Sequence, residues 1–132
     1  MLLRTPEDFR AYENSNGFLS HNHLHICSVS PEQAIVNVEL TPESCNASGF
    51  VHGGLLMSLV DVAASQAAMG NGSHYVTQNT FVNFISNVKG GTITATASII
   101  KRGRKTAVVH VDVRGSEEKL LADASVTMMC VE

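Results

Sequence analysis

Charged side chains are scarce in this sequence of 132 residues. Lysine and arginine number 9 and aspartate and glutamate 12, together 16% of the chain, against about 25% in an average globular domain. So thinly charged a surface points to coverage by other subunits. The balance is slightly acidic, at −3, which argues against general nucleic-acid binding, since phosphates select a basic surface. Cysteine is sparse as well. Cys27, Cys45 and Cys130 are odd in number and widely spaced, which fits neither a disulfide framework nor a zinc pattern. Free thiols suit a reducing compartment, and a cytoplasmic location is expected. None of the three sits in a nucleophile motif. No apolar run is long enough for a membrane span, and Met1-Leu2-Leu3-Arg4 passes at once into Thr5-Pro6-Glu7-Asp8, so no signal peptide is expected. Repeats and low-complexity tracts are also missing. What remains is 44% apolar residues in a chain of one-domain length, so residues 1–132 are expected to form a single domain, with 1–20 as an N-terminal helix and lead-in.

Thr5-Pro6-Glu7-Asp8 opens a short helix, with Thr5 as cap, Pro6 in the first turn and two acids at the positive end. Leu24 to Ser30 and Ala34 to Leu40 read as a strand pair around Pro31-Glu32-Gln33. Thr41 to Val51 is a loop. The one long helix runs from about Gly53 to Met69. Its residues are apolar around the whole circumference, which predicts burial on most sides, apart from a narrow stripe of Ser58, Asp61 and Ser65. Four strands follow: Tyr75 to Ile85, one centred on Ile93 to Ile99, one on Ala107 to Val113, and Leu120 to Val131. An apolar helix needs a wrapper, and a curved antiparallel sheet of about five to six strands provides it, giving an α+β fold. An open sheet with the helix on one face is the alternative.

The chemistry concentrates between Asn46 and Asp61. Asp61 is the only charge on the long helix. A buried carboxylate without a partner is costly, so it is either paired at an interface or serves as nucleophile or general base. His52-Gly53-Gly54 opens the helix. Glycines there let a ligand approach the backbone, and the free N–H groups at the positive helix end suit an anion or the oxyanion of a tetrahedral intermediate. Gly53 and Asp61 lie eight residues apart, about 12 Å along the axis, too far to serve one carbonyl within a single chain. Their cooperation requires two antiparallel helices across a two-fold axis, with two equivalent sites per dimer.

With Asn46, His52-Gly53-Gly54 and Asp61 in place, the stretch from Ala34 onward resembles the hotdog-fold acyl-CoA thioesterases, specifically the group similar to the phenylacetate-pathway thioesterase and thioesterase superfamily member 2. The resemblance implies a central helix wrapped by an antiparallel sheet, homodimers paired into homotetramers, and hydrolysis of an acyl-CoA thioester without metal or added cofactor. It assigns the oxyanion-hole N–H to Gly53, the base or nucleophile to Asp61 of the facing subunit, and orientation of thioester or water to Asn46. Thr77 matches the assisting hydroxyl on the strand after the helix. His52, Gly54 and Phe84 fall among the substrate-binding residues. Relatives often carry a proline after that strand, where this chain has Ser86-Asn87-Val88.

Other signals are weaker. Lys101-Arg102-Gly103-Arg104-Lys105 is the densest basic run. It is either a solvated hairpin tip or, with Lys89, a clamp for the nucleotide phosphates of CoA. His21, His23 and His25 alternate and would share one strand face, more as surface or interface residues than as zinc ligands. Met57, Met128, Met129, Phe50, Phe81 and Phe84 fit either packing or an acyl pocket. Two other functions suit the same fold: a non-catalytic acyl-CoA sensor, and a hydratase or dehydratase, for which no matching Asp/His arrangement surrounds His52.

Overall fold

The computed structural model describes residues 2–131. Thr5 caps α1 (Pro6–Ser15) by accepting the Asp8 N–H, while the Asp8 carboxylate accepts the N–H groups of Arg4 and Thr5. Those two donors, Arg4 first, hold the Asp8 carboxyl below its ordinary value. A short helix, α2 (Gly17–His21), follows. Next come the hairpin strands β1 (Leu24–Val29) and β2 (Gln33–Glu39). The buried Glu13 carboxylate accepts the Ile26 N–H at 2.7 Å and pairs with Arg10 at 2.9 Å. It thereby ties α1 to β1 beside a bulge at Cys27.

After the loop comes α3 (Gly53–Met69), then β3 (Tyr75–Phe84), β4 (Thr92–Arg102), β5 (Thr106–Arg114) and β6 (Leu120–Cys130). The six strands form one antiparallel sheet in the order β1-β2-β4-β5-β6-β3. It curves around α3, which touches every strand. Alternation decides which residues face the helix: Ile93, Ala95 and Ala97 on β4, Ala107, Val109, Val111 and Val113 on β5, and Ala122, Ala124, Val126 and Met128 on β6 are all buried. Alanines dominate the contact, with Ala63, Ala64, Ala67 and Ala68 of α3 fully enclosed. Small side chains let a helix settle deep in a curved sheet.

The expected polar stripe is where the sheet leaves the helix open: Ser58, Asp61, Val62 and Ser65 are only partly covered, and Met57 beside them is 45% exposed. The sheet has two open edges, and one stripe of the helix looks out between them. One expectation is corrected: the three histidines do not share a face. His21 ends α2, His23 takes a left-handed φ of +61° in the connection, and only His25 lies on a strand, 3.1 Å from Glu13. A helix occupies the first of the three positions, so period-two alternation does not apply.

Candidate active site

The loop before α3 is folded by its own polar groups. Asn46 Oδ1 accepts the N–H groups of Ser48 and Phe50 at 2.9 and 3.2 Å. This closes a turn through Gly49, whose φ of +84° favours glycine. The Asn46 carbonyl is thus committed to the turn, and only its Nδ2 is left to meet a substrate. Val51 is pinned on both sides: its N–H donates to the Val88 carbonyl, and its carbonyl accepts from Asn87 Nδ2 at 3.1 Å. Ser86-Asn87-Val88, the stretch without the relatives' proline, therefore braces the residue just before His52.

His52 caps α3. Its backbone is extended, at φ −67° and ψ 133°. Its Nδ1 accepts the Gly54 N–H at 3.3 Å, and its carbonyl accepts those of Leu55 and Leu56. The His52 N–H itself donates to the Ser44 carbonyl at 2.9 Å, so that, with Gly54 and Leu55, three of the four N–H groups that a helix start leaves open are satisfied. The fourth, on Gly53, has no acceptor among the described residues. The Phe84 ring stands over it, 3.7 Å from where a Gly53 side chain would begin. The result is one free N–H at the positive end of a helix of 17 residues, with an aromatic wall beside it. His52 and Gly54 are occupied with each other and shape this donor.

Asp61 sits on the open stripe of α3. Thr77 Oγ1 donates to its Oδ1 at 2.5 Å. A bulge between Thr77 and Asn79 lies immediately after; bulges re-aim side chains in this way. Two hollows meet at the carboxylate. One, of about 330 Å³, is lined by Phe18, Met57, Ser58, Val62 and Thr80. The other, of about 200 Å³, opens towards Tyr12, Leu19 and Met69. Nothing in the sequence points to Phe18, Tyr12 and Leu19 at this site, because only the fold brings α1 and α2 beside α3 there.

The basic residues separate. The Arg102 guanidinium donates to the carbonyls of Ala68, Ala67 and Pro31, at 2.9, 3.3 and 2.8 Å, and to the Tyr75 hydroxyl at 3.0 Å. It caps the C-terminal end of α3, where carbonyls lack partners and a cation is favoured. It is therefore engaged structurally, whereas Lys101, Gly103, Arg104 and Lys105 are exposed. Lys89 lies over the Phe50 ring at 4.8 Å, near the opposite end of α3. Within one protomer Lys89 and the basic turn cannot hold the same phosphates. Arg102→Met is expected to cost about 1–3 kcal/mol in a urea melt, whereas Lys101→Ala stays within about 0.5 kcal/mol. Equal effects would refute the capping role.

One group of described residues brings metal-ligating atoms together. His110, Asp112 and Asp123 have theirs within 4.8 Å of one another. They lie on the outer sheet face, away from Asp61, where His110 pairs with Asp123 at 3.2 Å and Arg114 reaches Asp112 at 3.8 Å. The cross-strand pairing of Asp112 with Asp123 was not visible in the sequence.

The Thioesterase superfamily profile matches residues 48–122. The chain is 29% identical over 100 residues to the acyl-coenzyme A thioesterase PaaI of Escherichia coli, covering 75% of this chain and 71% of that one. A solved thioesterase from Haemophilus influenzae superposes with a TM-score of 0.88 at 25% identity, over 100% of this chain and 96% of the other. A Streptococcus mutans protein solved bound to acetyl CoA matches with a TM-score of 0.78 at 28% identity, over 82% and 88%. Among the described residues no helix is long and apolar enough to cross a membrane. The chain belongs to the Thioesterase superfamily and is an enzyme of its hotdog fold.

Proposed function

We propose that the protein hydrolyses an acyl-CoA thioester to the free acid and CoA, at sites built by two copies of the chain. The observation that carries this is the pair of complementary half-sites: a free Gly53 N–H at one end of α3 and a Thr77-held Asp61 carboxylate midway along it. Hydrolysis needs a polarised carbonyl and an activated water or an attacking carboxylate. Thiolate leaves readily, so one amide donor and one carboxylate suffice. The substrate brings its own CoA, and the chemistry requires no further cofactor.

The edge strand β3 supports assembly in trans. It is ten residues long, contains no proline and sits at the open edge of the sheet. Three of its apolar side chains are bare, with Val76 50%, Phe81 67% and Phe84 53% exposed. Such an edge invites pairing with another strand. β3 runs from Thr77, beside Asp61, to Phe84, beside Gly53. Two copies paired antiparallel about a dyad near Thr80 therefore bring the Gly53 end of one helix to the Asp61 of the other. The same dyad carries the basic turn of one copy towards Lys89 of the other, so that Lys101, Arg104, Lys105 and Lys89 can face one nucleotide. In this arrangement Asn46 Nδ2 and Phe84 border the thioester. A pairing of dimers into tetramers fits the low surface charge.

Gly53→Pro tests the donor cleanly. Proline is well tolerated at the first helical position, where its missing N–H is not part of the helix ladder. His52 already has the extended backbone that a following proline demands. The variant is expected to fold normally and to lose about 10²–10³-fold in kcat, followed as thiol release from acyl-CoA. Full activity with proline at that position would remove Gly53 from the mechanism.

A further inference from the structure

The free N–H of Gly53 belongs to the peptide unit that joins it to His52. The planar unit before it, which joins Val51 to His52, is held at both ends. Its N–H, on His52, donates to the Ser44 carbonyl at 2.9 Å. Its carbonyl, on Val51, accepts from Asn87 Nδ2 at 3.1 Å. Val51 is also wholly buried, and its own N–H donates to the Val88 carbonyl at 3.1 Å. Among the described residues, Asn87 supplies the one side-chain bond to the Val51–His52 unit; the other anchors are backbone groups. The Asn87 amide is itself fixed. Its Oδ1 accepts the Val88 N–H at 2.8 Å, and the Asn87 backbone carbonyl accepts from Lys119 Nζ at 2.9 Å. Ser86, one residue earlier, is tied elsewhere, to the Leu120 carbonyl at 2.6 Å.

We infer that Asn87 is a positioning residue for the oxyanion donor: it holds the Val51–His52 unit where the Gly53 N–H is aimed at the thioester oxygen. This rests on the acyl-CoA hydrolase reading and adds to it a residue 36 positions from the carbonyl it holds. The unit carrying the Gly53 N–H is anchored to the helix only at its carbonyl, which accepts from Leu55 and Leu56. On its far side lies a glycine, whose backbone resists rotation least. Its near side starts at the His52 Cα, and the Val51–His52 unit sets where that atom lies. Without the Asn87 bond this unit is held at its N–H end alone, the His52 Cα shifts, and the donor tilts. An oxyanion donor acts only when it lies about 2.7–3.1 Å from the oxygen that gains charge, and a misplacement of about 1 Å costs up to about 100-fold in rate.

The test is a double-mutant cycle read as thiol release from acyl-CoA. Asn87→Asp keeps the Oδ1 acceptor for Val88 and loses only the donor, whereas Asn87→Ala removes the carboxamide without adding charge. Each lowers kcat about 10- to 100-fold. KM changes less than about threefold, because the donor acts on the transition state more than on the bound ester. In the Gly53→Pro background, where the donor is already gone, the same substitutions do nothing further. Ser86→Ala is the control on the same segment. It loses the bond to Leu120 without touching the Val51–His52 unit, so it lowers Tm as Asn87→Ala does and leaves kcat in place. A purely structural Asn87 would lower Tm and spare kcat. An Asn87 that met the substrate directly would lower activity equally in both backgrounds. Either result overturns the positioning role and leaves the hydrolase standing. If Asn87→Asp fails to fold, Asn87→Ala decides the cycle by itself. An unaltered protein that releases thiol from no acyl-CoA overturns the hydrolase and the positioning role together.

Discussion

Asp61→Asn lowers thioester turnover by about a thousandfold or more while the protein stays folded. The amide is the same size and still accepts the Thr77 hydroxyl that now reaches Oδ1 at 2.5 Å, so Tm moves little. It cannot take a proton from water or form an acyl intermediate, so the step that depends on the carboxylate is lost. A stronger form of the experiment uses two dead variants. In a dimer of one Asp61→Asn chain and one Gly53→Pro chain, one site carries both lesions and the other carries neither. Random exchange of subunits therefore restores about a quarter of the original activity. Sites contained within one chain would regain nothing on mixing. An Asp61→Asn protein that keeps its turnover would remove the carboxylate from the chemistry and leave it as an interface acid.

Gly70→Ala is expected to cost about 3–5 kcal/mol, or to abolish soluble protein altogether. Gly70 has φ −62° and ψ −13°, a conformation open to any residue, so backbone freedom is not the issue. A methyl group there would lie 2.2 Å from the Ser30 carbonyl oxygen and 2.7 Å from its carbon. Both are backbone atoms of the β1–β2 turn, which cannot swing away as a flexible side chain would. The Arg4 guanidinium also donates to the Gly70 carbonyl, so the end of α3, the hairpin and the N-terminal segment all meet at this point. Gly17→Ala is the control: nothing lies within 4 Å of that position, and alanine is the better helix former. Denaturant melts of both variants decide the matter. A Gly70→Ala protein as stable as the control would show that the turn can yield.

Much of this molecule could be read from residue order. The span of α3 follows from the glycines at both ends and the dense apolar run between them. The inward faces of β4, β5 and β6 follow from period-two alternation. Asp61 stood out because a lone charge in such a run demands a reason, and Gly53 because a helix start leaves N–H groups over. These are local consequences of sequence, set within a few residues of where they act.

The rest depends on neighbours that are distant in the chain. Arg102 reads as one member of a basic turn, yet its partners are 27 to 71 positions away, and only the packing of β4 against the end of α3 turns a phosphate ligand candidate into a helix cap. Asn46 reads as a substrate contact, but its carbonyl is used up closing its own turn. Which N–H stays free at the start of α3 depends on the direction in which His52 Nδ1 points. Sequence by itself determined the elements and their buried faces, because hydrophobic periodicity and capping are short-range. The tertiary structure alone decided which polar groups are spent within the fold and which are left free, because a hydrogen bond is settled by whatever the fold brings within about 3 Å.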